Sequence, residues 1–237
     1  MVSSQAKVKA VADIAKNRLY LTISGNVDAK TLNALYTDIR FCVADLQPGF
    51  IVINDSSACN LMYLNGLPVY KKIMDYLVAN KVGEIVRVVQ DTISHKQILN
   101  FTDKIQCYKT MYAEQLEEAE RKLAATRRRN GIRFKLNGPS IAYTINNQNH
   151  SGTLVDLSIS GCAIEAEGTI PAVAQELTLV LLFDNHEHHP SQFQIKARVV
   201  RATVSNFAAQ FLDLDNDRQE QLYQRLVYEV GRNVELP

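Results

Sequence analysis

The sequence predicts two folds in one chain: an α/β domain over residues 1–108 and an all-β antiparallel barrel with a C-terminal helix over 129–237, joined by a long helix over 109–128. Three observations predict this. In the first half, short β-branched runs alternate with segments of helical period. Residues 109–128 keep a helical pattern with neither glycine nor proline. From about residue 130, strand-like runs follow one another at a spacing of about 10–14 residues, with turn signals between them.

Taken in order, AKVKAV and RLYLTIS (18–24) alternate apolar and polar residues in the period of strands. Asp28 is placed as an N-cap for a helix in which Leu32, Leu35, Ile39, Val43 and Leu46 recur every three or four residues. FIVIN (50–54) is a short continuous apolar run, the mark of a strand buried on both faces. A second helix is expected over roughly 66–80, and EIVRVV (84–89) as another buried strand. Over 109–128, Tyr112, Leu116, Ala119 and Leu123 form a narrow seam, and Glu117/Arg121 and Glu118/Lys122 are favourable i,i+4 pairs. The expectation is a solvent-washed connector whose seam also permits pairing with a second copy as a homodimer.

Beyond it, IRFKL, IAYTI, GTLVDLS, GCAIEAE, ELTLVLLF, FQIKARVVRATV and FAAQFLDL are seven strand-like segments, divided by NGPS, NNQNHSG, SISG, DNHEHHP and SN. The last segment, DNDRQEQLYQRLVYEVGRN, reads as a helix. Asp215 or Asn216 would cap it, and Leu222, Leu226 and Val230 would cover one barrel opening.

Bulk composition narrows the function classes. The 237 residues carry 26 Lys and Arg against 25 Asp and Glu, a net charge of +1, so any anion binding must be local. No segment approaches the ~20 apolar residues of a membrane span, and the first residues lack a secretion signal. A cytoplasmic protein without membrane insertion is the expectation. Cys42, Cys59, Cys107 and Cys162 stand singly, as isolated thiols rather than metal or disulfide ligands. No nucleophile elbow, P-loop, HExxH or GxGxxG occurs, so neither catalytic residues nor an enzyme activity are expected. Asp184, His186, Glu187, His188 and His189 are metal-ligand types, but DNHEHHP reads as a polar hairpin turn with no metal.

Against the near-neutral background, RRRNGIR (127–133) concentrates charge where the connector ends. Asn130-Gly131 breaks the helix and leaves the guanidiniums on a loop. An arginine fork matches two phosphate oxygens or the O6 and N7 edge of guanine. In DLSISG, Asp156 and Ser158 flank Leu157, so both project to one face of a strand while Leu157 turns inward. Gly161 permits a sharp turn with positive φ. The combination fits a compact anionic purine nucleotide. Basic residues at a helix end and an ordinary turn are the plainer alternatives. No basic strip or aromatic platform accompanies the arginines, so a nucleic acid is not the expected partner.

Arg129-x-x-x-Arg133 followed by Asp156-x-Ser158-x-x-Gly161 resembles the PilZ domain, a six-stranded barrel that binds cyclic di-GMP. The resemblance implies that Arg128, Arg129 and Arg133 clasp phosphates and guanine edges, that Asp156, Ser158 and Gly161 line the facing barrel surface, and that Ala208-Ala209-Gln210-Phe211 closes the barrel. The ligand would be cyclic di-GMP, with no cofactor. A barrel reduced to a scaffold for protein–protein contacts is the alternative reading.

Residues 5–107 resemble a STAS domain, the anti-sigma-factor-antagonist fold, through LTISGNVDAKTL and FIVINDSSACNLMYLNGLPVYKKI. In that family two hydroxyl residues precede a helix, and one is phosphorylated; here Leu64 and Asn65 occupy those positions. The resemblance therefore implies a fixed docking surface for a downstream protein of motility, polysaccharide or regulatory machinery. Ser56 and Ser57 read as loop-capping serines.

Overall fold

The computed structural model describes residues 5–90, 108–125, 131–136, 140–185 and 187–232. The chain divides into two compact units, Met1–Ile132 and Arg133–Glu235.

In the first unit, β1 (Lys7–Asp13) and β2 (Arg18–Val27) form an antiparallel hairpin. Strands β3 (Ile51–Asp55), β5 (Glu84–Val88) and β6 (Met111–Ala113) then add in parallel, giving the order β1-β2-β3-β5-β6. Strand β4 (Cys59–Met62) pairs with the far end of β2, a short element that the sequence pattern does not announce. Helix α1 (Ala29–Ala44) starts at Asp28, whose carboxylate accepts from the Thr31 amide at 2.8 Å, as expected of an N-cap. Its buried side chains are Leu32, Leu35, Ile39 and Val43; Leu46 falls past the last turn and is half-buried. Helix α2 (Leu67–Ala79) follows a 3₁₀ turn at Leu64–Gly66 and carries Pro68 in its first turn.

The expected connector differs from the expectation. Met111–Ala113 is a strand beside β5, and among the described residues the helix runs over α3, Leu116–Ala125; residues 126–128 of the expected connector lie outside them. Its seam is only partly solvent-washed: Leu116 is exposed, but Ala119 and Leu123 are buried with Ile53, Val86, Val88 and Ala113. An apolar seam on a charged helix does not specify what covers it, and here it is the sheet of its own unit. Polar contacts fix the helix further. Glu120 accepts from Arg18 and from the Tyr20 hydroxyl, the latter at 2.8 Å, and Lys122 donates to the Tyr112 carbonyl at 2.7 Å. The i,i+4 pair Glu118–Lys122 is present at 2.8 Å.

The second unit is a closed antiparallel barrel of β7 (Ser140–Ile145), β8 (Gln148–Ser158), β9 (Gly161–Ala166), β10 (Glu176–Leu182), β11 (Gln192–Ala202) and β12 (Asn206–Phe211), in the order β10-β11-β12-β9-β8-β7. Closure by β10 against β7 removes the free edges of the sheet. The loop between β7 and β8 is shorter than NNQNHSG implied. Asn146 and Asn147, at φ 49° and 64°, make the whole turn, because asparagine tolerates the left-handed conformation a two-residue hairpin needs. Inside the barrel, the Tyr143 and Phe207 rings meet edge-on at 5.1 Å. The segment IRFKL contributes a single bridge, Phe134 to Leu157, and not a seventh strand.

Helix α4 (Asn216–Arg232) is capped by Asp215, which accepts from the Arg218 amide at 2.7 Å. Leu222, Leu226 and Val230 are buried as expected. Arg225 is buried too, at 0% exposure, and lies inside the protein without signal in the pattern. It donates to the carbonyls of Asp184 at 2.7 Å and Pro190 at 3.4 Å, pairs with Glu229 at 2.5 Å, and lies over the Phe183 ring. One guanidinium thus ties both sides of the loop between β10 and β11 to α4. Among the described residues no helix is long and apolar enough to cross a membrane.

Candidate functional site

Strand β8 carries a bulge between Leu154 and Asp156. Leu154 and Leu157 are both buried although they stand three apart, which a regular two-residue alternation forbids. The extra residue, Val155, is exposed and resets the faces. Downstream of it Leu157 turns inward at 0% exposure, and Asp156 and Ser158 share the other face. That face is covered, since Asp156 and Ser158 are themselves 1% and 5% exposed.

Arg133 is brought to this place by the bridge next to it. Phe134 donates to the Leu157 carbonyl at 2.8 Å, and Leu157 donates back at 3.0 Å. The Arg133 guanidinium then lies 3.7 Å from the Asp156 carboxylate, on a side chain 38% exposed against 2%. Charge therefore orients the arginine, but the separation is longer than a hydrogen bond, so its donor fork is not consumed. Arg128 and Arg129 lie outside the described residues.

Ser158 and Gly161 build the turn that ends β8. The Ser158 hydroxyl donates to the Gly161 carbonyl at 3.0 Å and accepts from the Ser160 amide at 3.4 Å. Gly161 is not needed for a positive φ, contrary to the expectation; it is absent from the residues with φ above zero. A Cβ there would stand 2.5 Å from the Ala209 carbonyl, so the requirement is close approach of β12. Ala209 is the middle of Ala208-Ala209-Gln210-Phe211, which pairs with β9 on one side and β11 on the other. Cys162, buried beside this turn, has its thiol pushed up by burial and then by the Asp156 carboxylate, and stays neutral.

Sequence reasoning named Arg133, Asp156, Ser158 and Gly161 but missed Phe134 and Tyr223. Phe134 is fully buried, and its ring meets the Tyr223 ring of α4 edge-on at 6.0 Å and 70°. The apolar–polar alternation of IRFKL was the available signal. Ser57 bonds Asp55 through its amide and hydroxyl at 3.0 and 2.6 Å, and Ser56 bonds Asn54 at 3.1 Å, as loop-capping serines do. Leu64 and Asn65 lie in the 3₁₀ turn, with Leu64 exposed. Among the described residues no three His, Cys, Asp or Glu side chains cluster as metal ligands; His186 lies outside them. Cys42 is half-buried, and Cys59 and Cys162 are buried; Cys107 is outside the described residues.

Residues 127–229 match the family model of the PilZ domain, a span that contains the whole barrel and most of α4. Similar solved structures include the PilZ domain of YcgR with c-di-GMP from Escherichia coli, at 17% identity over 45% of this chain and 93% of that one, with a TM-score of 0.36. The Bacillus subtilis inhibitor of motility MotI/DgrA matches at 17% identity over 45% of this chain and 53% of its own, with a TM-score of 0.39. An anti-sigma factor antagonist from Mycobacterium paratuberculosis matches the N-terminal part at 18% identity, covering 50% of this chain and 95% of that one, with a TM-score of 0.37. No curated protein matches the chain.

Proposed function

We propose that the barrel unit is a receptor for cyclic di-GMP, held by Arg128, Arg129 and Arg133, with Asp156, Ser158 and Gly161 framing the site. One observation carries the reading: the Arg133 guanidinium is aimed by a buried carboxylate 3.7 Å away yet keeps its donors open, within a segment that matches the PilZ domain. Cyclic di-GMP offers two phosphates and two guanine edges, and a guanidinium fork suits either. The geometry refines the division of labour. Asp156 and Ser158 are buried, so their part is to hold Arg133 and the turn, while the arginines meet the ligand.

The protein acts as a cytoplasmic receptor and does no chemistry. Nucleotide binding by the arginines shifts the population of interdomain arrangements, and the α/β unit presents a docking face to a downstream protein. Leu61, Tyr63 and Leu64 are exposed beside the 3₁₀ turn and are the apolar part of such a face. With Leu64 and Asn65 in place of hydroxyl residues, that face is not switched by phosphorylation there. The test is a titration with cyclic di-GMP, GTP, GMP and a short RNA at two salt concentrations. Saturable binding of cyclic di-GMP alone, with a shallow salt slope, supports the receptor; a steep slope without base preference supports nucleic acid, and no binding supports a protein-only adaptor.

A further inference from the structure

Arg133 does not sit on a strand. Its backbone is placed by the lone Phe134–Leu157 bridge, a reciprocal pair of hydrogen bonds at 2.8 and 3.0 Å. Two backbone hydrogen bonds add little net stability in water, so the bridge needs a second support. Phe134 supplies it from the inner side, where its fully buried ring meets Tyr223 of α4 edge-on. Tyr223 is itself 3% exposed, next to Leu222 and one turn from Leu226, both fully buried.

Antiparallel pairing of Phe134 with Leu157 sets the neighbours on the outer face. It places Arg133 across from Ser158 and Lys135 across from Asp156, all on the side opposite the two inward rings and chains. A one-residue slip would turn Arg133 inward and Phe134 outward. Register at this point thus decides whether the guanidinium reaches the carboxylate at all.

From this we infer that Tyr223 is a positioning residue for the nucleotide site: through Phe134 it holds Arg133 in register with Asp156 and Ser158. The inference rests on the receptor reading above. A released Arg133 has to be ordered at the moment of binding, and that ordering lowers affinity. Reciprocally, bound nucleotide strengthens the bridge, since coupling between two events runs both ways.

The experiment compares the full chain carrying Tyr223→Leu, Tyr223→Phe or Val230→Ala with the unaltered chain. It reads cyclic di-GMP affinity, the melting temperature of the barrel, and hydrogen exchange at the Phe134 and Leu157 amides. Tyr223→Leu is expected to weaken binding about fivefold and to speed exchange at both amides. Tyr223→Phe keeps the ring and retains affinity. Val230→Ala lowers the melting temperature while leaving affinity and those amides unchanged. Unaltered affinity in Tyr223→Leu, or affinity that falls in Val230→Ala in proportion to melting, overturns the inference. An unaltered chain that binds no cyclic di-GMP overturns the receptor reading instead, and the exchange measurement then still reports on the bridge.

Discussion

Arg133 Nη1 lies 3.7 Å from Asp156 Oδ1, a half-buried cation facing a carboxylate that is almost wholly buried. The carboxylate is fixed by its strand, so the arginine is the member of the pair that answers to a ligand. Replacing Arg133 by Ala is expected to weaken cyclic di-GMP binding by about 100-fold while changing the melting temperature far less, because the guanidinium is beyond hydrogen-bond reach of Asp156 and its side chain is partly exposed. Asp156→Asn keeps the shape and removes the orienting charge, with a smaller loss of about tenfold. Calorimetric titration of the two variants checks the order.

Gly161 faces a different constraint. A methyl group there meets the Ala209 carbonyl at 2.5 Å, so β9 and β12 must separate to admit it. Gly161→Ala is expected to destabilise the barrel by about 2 kcal/mol, read from thermal or urea unfolding. An alanine variant as stable as the parent would show that the Ala209 carbonyl does not exclude a side chain there.

Arg225 is buried with Glu229 and two carbonyls of the β10–β11 loop, those of Asp184 and Pro190. Arg225→Met is expected to cost about 3 kcal/mol of barrel stability, since it leaves Glu229 and two carbonyls without their cation. Faster exchange confined to the hairpin and α4 would show where the loss falls.

Glu120 makes the α/β unit acid-sensitive. Burial pushes its carboxyl up, but hydrogen bonds from Arg18 and Tyr20 prevail and hold it below the ordinary value of 4.5. A carboxyl depressed in the folded state contributes stability that is complete above about 4.5 and is lost as pH falls through its folded value. Unfolding of this unit should therefore grow easier below pH 4.5, and Glu120→Gln should flatten that dependence while lowering stability at neutral pH. An identical acid slope in parent and variant would exclude Glu120 as its source.

Much of this was legible in the residues, and the rest failed for identifiable reasons. The Asp28 cap, the buried runs at 51–55 and 84–88, and the α4 stripe were readable because local chemistry and period suffice for each. Met111–Ala113 was not, because a three-residue strand inside a helix-like stretch is decided by the vacant edge of β5, a tertiary fact. The same holds for α3: its seam could be seen, but not that Ile53 and Val86 cover it. At the site, Asp156 and Ser158 were found from spacing. The bulge at Val155 that re-aims them leaves no compositional mark, and Gly161 was assigned to φ when the neighbour is what forbids a side chain. Arg225 reads as a surface charge in any one-dimensional pattern; only the folded hairpin supplies the carbonyls that let it be buried.

The central claim is that the arginine segment and β8 together bind a nucleotide. Its most direct test is calorimetric titration of cyclic di-GMP into the full chain and into the Arg129→Ala/Arg133→Ala double variant. The expected result is saturable binding by the parent and no measurable heat from the double variant, with the melting temperatures of both barrels alike. Undiminished affinity in the double variant, or no binding by the parent, would contradict it.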